Sequence, residues 1–152
     1  MVSFLTRQEF RDIYSKVPRL CVDIIIRQAG KILLSKRKID PYKGFWHIPG
    51  GTVYFGETLE QAAKRVAKDE LNLEVSVKSL ISYLEFSDEY KGGWHGWPIS
   101  LQFEVEIISG EIKSDYQASK IQFFDKIPQN TVETQKKFLS EKLNFQVASN
   151  IF

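Results

Sequence analysis

A single cysteine, Cys21, rules out an internal disulfide. No apolar run is long enough to cross a membrane and no signal peptide is evident, so a cytoplasmic protein with no membrane partner is expected. Charge of one sign is also lacking: the net charge of +2 gives no strong pull toward nucleic acid or a lipid surface. Internal repeats and low-complexity segments are missing too. What remains is an ordinary globular composition, 43% hydrophobic and 13% aromatic over 152 residues. That length suffices for one domain with a real core, expected to span residues 1–152. Cys21 sits in an apolar run and reads as a core residue rather than a reactive thiol.

The apolar pattern sets out the elements in order. Thr6 to Lys16 reads as a short amphipathic helix with Phe10, Ile13, Tyr14 and Val17 on one side, stopped by Pro18. Leu20–Arg27 and Lys31–Lys36 read as a hairpin turning at Gln28-Ala29-Gly30. A loop at Asp40–Gly44 leads to a short strand, Phe45–Ile48. Leu73–Phe86 reads as one or two strands, Ser87–Pro98 as a loop, and Ile99–Ile108 and Ile121–Phe124 as strands. Thr131–Leu143 reads as a closing helix, its face made by Val132, Gln135, Phe138, Leu139 and Leu143. Mixed strands with helices at the start, middle and end predict an α/β/α sandwich.

The stretch from Gly50 to Leu73 is chemically the most telling. Two glycines open it, permitting close approaches that a Cβ would block. Thr58 and Gln61 form a capping-box pattern, so a helix is predicted from Leu59, with Asn72 as its stop. Helical periodicity puts Leu59, Ala63, Val66 and Glu70 on one side, with Ala62 and Asp69 beside them. Carboxylates on an apolar face, at the helix end that disfavours negative charge, make sense if a metal ion joins them.

These residues resemble the Nudix hydrolases. The family motif reads Gly, five residues, Glu, seven residues, then Arg-Glu-apolar-x-Glu-Glu-x-Gly-apolar. Gly51, Glu57, Arg65, Ala67, Glu70 and Leu73 match it, and Asp69 replaces one Glu conservatively. Val66 stands where the family usually has Glu, and Asn72 where it has Gly. The stretch Gly44 to Gly51 also looks like the strand that leads into the motif in this family. Phe4 to Phe10, the strand holding Asp23, and Leu33 to Arg37 are most similar to the GDP-mannose mannosyl hydrolase branch. That branch shares the apolar residue at the Val66 position and keeps the final Glu.

The resemblance implies an α/β/α sandwich with a mixed β-sheet, a homodimer, and a Mg²⁺ cofactor, with Mn²⁺ as its substitute. The cation wants oxygen ligands and bridges to substrate phosphates. The implied ligands are Glu70, Asp69, the backbone carbonyl of Gly50 and Gln117. Glu57 takes a structural or outer-shell metal role, with Arg65 as its ion-pair partner. Arg37 suits a diphosphate, for which its planar fork of donors is matched. Asp23, in an apolar strand, either hydrogen-bonds within the fold or holds the base or ribose of a ligand. Phe4, Leu5 and Phe10 match nucleotide-contacting positions and equally suit plain packing. The sugar-hydrolase branch places a His after the Gln ligand, where this chain has Ala118. His95, in a loop rich in glycine and tryptophan, and His47 are then the candidate bases. Trp94 and Trp97 suit stacking on a base or lid packing.

The expected activity is Mg²⁺-dependent hydrolysis of a nucleoside diphosphate-linked small molecule, foremost a nucleoside diphosphate sugar attacked at the sugar carbon. The alternatives are a pyrophosphohydrolase attacking phosphorus, of ADP-ribose or nucleotide type, and a nucleotide-binding module without catalysis.

Overall fold

The computed structural model describes residues 5–87, 96–114 and 117–149. Its first helix, α1 (Arg7–Tyr14), starts at a capping box in which Thr6 and Glu9 satisfy each other's backbone N–H groups. None of its residues is fully buried, so the apolar side expected for the core faces a cavity instead.

The strands follow as β1 (Pro18–Ile25), β2 (Arg27–Gln28), β3 (Lys31–Arg37), β4 (Trp46–His47) and β5 (Gly50–Thr52). The predicted hairpin is shorter than the pattern suggested. Only β2 pairs with β3, through Arg27–Ile32 and Gln28–Lys31. The chain leaves one sheet at Ile25 and enters another, so β1 and β3 belong to different sheets.

Helix α2 (Leu59–Leu71) begins at the Thr58–Gln61 capping box and stops at Asn72. Asn72 takes the left-handed conformation, φ 59°, that glycine usually supplies at a helix end. After it come β6 (Leu73–Glu85), β7 (Trp97–Gly110), β8 (Ala118–Phe124), β9 (Lys126–Ile127), α3 (Glu133–Glu141) and β10 (Gln146–Val147). The last strand pairs in parallel with β9. Two exposed or half-buried residues carry no period, so the sequence did not signal it.

One sheet runs β5-β1-β7-β6, with β1 and β7 parallel and the other pairs antiparallel. In the second sheet, β3 pairs with β2, β4 and β8. The expected α/β fold with mixed sheet is therefore present, with the strands divided between two main sheets.

Strand alternation sorts the core. Val22 and Ile24 on β1, with Phe103 and Val105 on β7, pack with Ala62, Ala63, Val66 and Ala67 of α2. On the other side Ile25, Ile32, Leu34, Trp46 and Ile48 pack with Phe138 and Leu139 of α3. β6 serves both clusters: Leu73, Val75 and Val77 join the first, Ile81 and Leu84 the second. Register shifts between Val77 and Ser79, and between Leu80 and Ser82, mark where it changes allegiance.

Candidate active site

A cavity of about 860 Å³ opens between α1, the C-terminal half of α2, the β3–β4 segment and the exposed end of β1. Leu5, Phe10, Asp23, Arg37, Gly50, Arg65, Asp69, Glu70 and Gln117 all line it. They come from six separate parts of the chain, so folding unites nearly every site residue singled out above. Phe4 and His95, along with Trp94, lie outside the described residues.

Gly50 and Gly51 form β5 against β1, with Gly50 opposite Asp23. A Cβ on Gly50 would sit 1.9 Å from Asp23 Oδ1 and 2.6 Å from the Val22 carbonyl oxygen. Glycine is required here by close approach, as the sequence suggested. Gly51 faces Val66, whose Cγ2 would lie 3.4 Å from an added Cβ. Val66 is fully buried among core residues, so the position at which the motif usually carries Glu is filled by packing in this chain.

Glu57 and Arg65 form the expected pair. Arg65 Nε donates to Glu57 Oε1 at 2.5 Å, and its Nη2 donates to Glu57 Oε2 at 3.1 Å and to the Thr52 carbonyl at 2.8 Å. The Tyr54 N–H donates to Glu57 Oε2 at 2.9 Å, and the Tyr54 ring stacks under the guanidinium, 3.7 Å from centroid to Cζ. Burial opposes ionisation of Glu57, but the Arg65 and Tyr54 hydrogen bonds and the Arg65 charge outweigh it and lower its pKa. Arg65 is desolvated as well, yet the Glu57 hydrogen bond and the surrounding negative groups raise its pKa. The pair ties the glycine loop to the helix.

Asp69 and Glu70 correct one detail of the expectation. They are not buried on the apolar face: the Asp69 side chain is 62% exposed and Glu70 is half-buried. Asp69 Oδ2 lies 3.8 Å from Arg65 Nη1. Both carboxylates stand on the cavity wall, where water relieves the cost of their charge. Among the described residues no group of three or more His, Cys, Asp or Glu side chains forms a ready metal cage. The oxygen donors that the resemblance assigns to a cation, Asp69, Glu70, the Gln117 amide and the Gly50 backbone, line the cavity instead. Hard oxygen donors, few in number and open to a phosphate-bearing ligand, fit a magnesium ion, which keeps waters and shares its ligands with substrate.

Asp23 is 6% exposed and accepts a 2.6 Å hydrogen bond from Gln102 Nε2. Gln102 is fully buried on β7, directly across from Asp23. Gln102 was not among the residues singled out above; its signal is a Gln between Leu101 and Phe103 in a predicted strand, able to supply the donor that Asp23 needs. Arg37 donates through Nε to the Pro41 carbonyl, which fixes the guanidinium at the cavity wall.

His47 is the main departure from expectation. Burial, then the neighbouring Arg37 charge, lower its pKa to about 3, against a smaller opposing effect from its hydrogen bond with the Ile48 backbone. The ring is therefore neutral near pH 7 and a weaker base than an ordinary imidazole.

A search of protein-family models matches the NUDIX domain over residues 17–133. The ADP-ribose pyrophosphatase of Methanocaldococcus jannaschii is 42% identical over 108 residues, 71% of this chain and 62% of that relative, so the chain spans less than two thirds of its length. The low-salt glycan biosynthesis protein Agl8 of Haloferax volcanii is 33% identical over 120 residues, 77% of each chain. Among solved structures, a MutT NUDIX hydrolase from Burkholderia pseudomallei superposes with a TM-score of 0.73 at 26% identity, covering 82% of this chain and 97% of that one. Hydrolases of this family use Mg²⁺ or Mn²⁺. A glycine loop clamped to its helix by Glu57 and Arg65, a cavity walled by Asp69 and Glu70, and a domain match covering most of the sequence make this chain a member of the Nudix family.

Proposed function

We propose that this chain hydrolyses a nucleoside diphosphate joined to a second group, with a sugar as that group. The observation that carries the reading is one cavity holding Arg37 together with Gly50, Asp69, Glu70 and Gln117. A cation supplied there would neutralise the diphosphate and polarise the bond to be broken. Glu70, Asp69, Gln117 and the Gly50 carbonyl are the residues assigned to hold it. Arg37 binds diphosphate oxygens through its fork of N–H donors, oriented by the Pro41 carbonyl. Glu57 and Arg65 keep the glycine loop in place rather than touching the reacting atoms. Leu5 and Phe10 offer apolar contact to the base; the same role for Phe4 rests on the resemblance alone. A homodimer, expected from the same resemblance, and a cytoplasmic location belong to this proposal; no described helix is long and apolar enough to cross a membrane.

Two bonds are open to cleavage. In the first reading water attacks phosphorus and the P–O–P bridge breaks, giving a nucleoside monophosphate and a sugar phosphate. The name of the 42%-identical relative supports it. In the second, water attacks the sugar carbon and releases an intact nucleoside diphosphate and a free sugar. Buried Val66 favours this one, because it takes away a carboxylate that would accept the water proton near the phosphates. With the His47 pKa lowered, His95 is the imidazole assigned to proton transfer near neutral pH. Specificity for GDP-mannose is one case within the second reading.

The test is turnover of ADP-ribose and GDP-mannose with Mg²⁺ in heavy-oxygen water, with products read by mass spectrometry. Label in a phosphate establishes the first reading and label in the sugar the second. Turnover of neither, with free nucleoside triphosphates consumed instead, would sink both.

A further inference from the structure

The face of β1 and β7 turned toward the cavity carries Cys21 and Asp23 beside Ser100 and Gln102, paired in register. Asp23, Ser100 and Gln102 are buried polar residues on these two strands, as Ser35 is on β3. Asp23 and Gln102 satisfy each other. Ser100 does not share in this: it is 1% exposed, lines the cavity, and its Oγ has no hydrogen-bond partner among the described residues. Gln102 Oε1 is likewise buried without a partner, its Nε2 being committed to Asp23. An unmet buried hydroxyl is destabilising, and alanine at the same place would not carry that cost. A group kept at such a cost on a cavity wall calls for an occupant.

We propose that Ser100 is the hydrogen-bonding partner of a ribose hydroxyl of the ligand. The inference rests on the nucleoside diphosphate reading and adds a position to it. The order of groups along the cavity supports the assignment. Asp23 packs on Gly50, whose carbonyl is assigned to the cation together with Asp69 and Glu70. Ser100 lies level with Cys21, two residues along β1 from Asp23, about 6–7 Å away at the usual strand rise. Two residues further, Arg19 lies over the Phe10 ring of α1 at 5.5 Å from its centroid, beside Tyr14. Acidic end, hydroxyl, then a flat aromatic and guanidinium surface is the order of diphosphate, pentose and base. A serine hydroxyl both donates and accepts, as does a ribose hydroxyl, and the orphaned Gln102 carbonyl adds an acceptor to the same face.

The experiment measures binding by calorimetry with Mg²⁺ present. Its probes are ADP and GDP and their 2′-deoxy and 3′-deoxy counterparts, each titrated into wild type and Ser100→Ala, with the unliganded Tm of both proteins recorded. Wild type should bind the ribonucleotide about five-fold tighter than one of its deoxy forms. Ser100→Ala should bind all three alike, with Tm unchanged or raised because an unmet polar group has gone. Discrimination that survives in Ser100→Ala overturns the proposal, as does a lowered Tm with affinities unchanged. Equal binding of ribo and deoxy forms by wild type overturns it while leaving the nucleoside diphosphate reading standing. Wild type that binds none of the nucleotides overturns both.

Discussion

Asp23 occupies the space that a side chain on Gly50 would need: a Cβ there would meet Asp23 Oδ1 at 1.9 Å. The first glycine of the motif loop is therefore fixed by a carboxylate on the neighbouring strand, and the loop's path past the cavity depends on both. Gly50→Ala should cost about 1–3 kcal/mol of stability, since either Asp23 leaves Gln102 or β5 lifts from β1. Asp23→Ala in the Gly50→Ala background should recover only part of the loss, because the Val22 carbonyl also stands in the way at 2.6 Å. Urea denaturation of the two single variants and the double variant measures the coupling. Strictly additive losses would contradict it.

The Glu57–Arg65 pair makes a prediction with a pH signature. Glu57→Gln keeps the shape but loses the charge-assisted bonds, and should cost about 2 kcal/mol near neutral pH. The folded protein holds the Glu57 pKa below its ordinary value. The contribution of the pair is thus full above the unfolded carboxyl value and disappears as pH falls through the lower folded one. The stability gap between wild type and variant should stay constant from about pH 8 to pH 6 and close below about pH 4. A gap that persists at low pH would assign the loss to packing.

Glu70 tests the cation site. Its half-exposed position on the cavity wall means that Glu70→Gln should leave Tm within a degree or two of wild type, about 0.5 kcal/mol. Affinity for Mg²⁺ or Mn²⁺ in the presence of nucleotide should fall about ten-fold or more, because a neutral amide is a poorer ligand than a carboxylate. Gln117→Ala should show a smaller loss in the same titration. Unchanged cation affinity in Glu70→Gln would remove it from the ligand set.

His47 makes a prediction of the opposite kind. With a folded pKa of about 3 against an ordinary 6.5, the unfolded chain takes up the proton first as pH falls. This contribution to stability is present above pH 6.5 and lost progressively toward pH 3. His47→Gln should flatten the decline in denaturation midpoint across that window. The neutral limb of the kcat/KM profile should stay where it is, since a ring neutral throughout supplies no titration there. A limb that moves in His47→Gln would restore His47 as a proton carrier.

The sequence by itself determined the elements whose causes are local. The Thr58–Gln61 capping box, the left-handed stop at Asn72 and the apolar face of α2 depend on residues within a few positions of each other, so spacing alone marks them. The pairing of Glu57 with Arg65, eight residues apart across a loop-to-helix corner, came from the resemblance to the family motif rather than from spacing. Tertiary structure decided what depends on distant partners. Which sheet takes β1 and which takes β3 is set by pairing with β7 and β8, far along the chain. Whether Asp69 and Glu70 are buried depends on an open cavity beside α2, which helical periodicity cannot see. Gln102 became the partner of Asp23 across 79 residues, and His47 lost its basicity through burial and the Arg37 charge. Local hydrogen bonds and periodicity are written in neighbouring residues; desolvation and long-range pairing exist only once the chain has closed on itself.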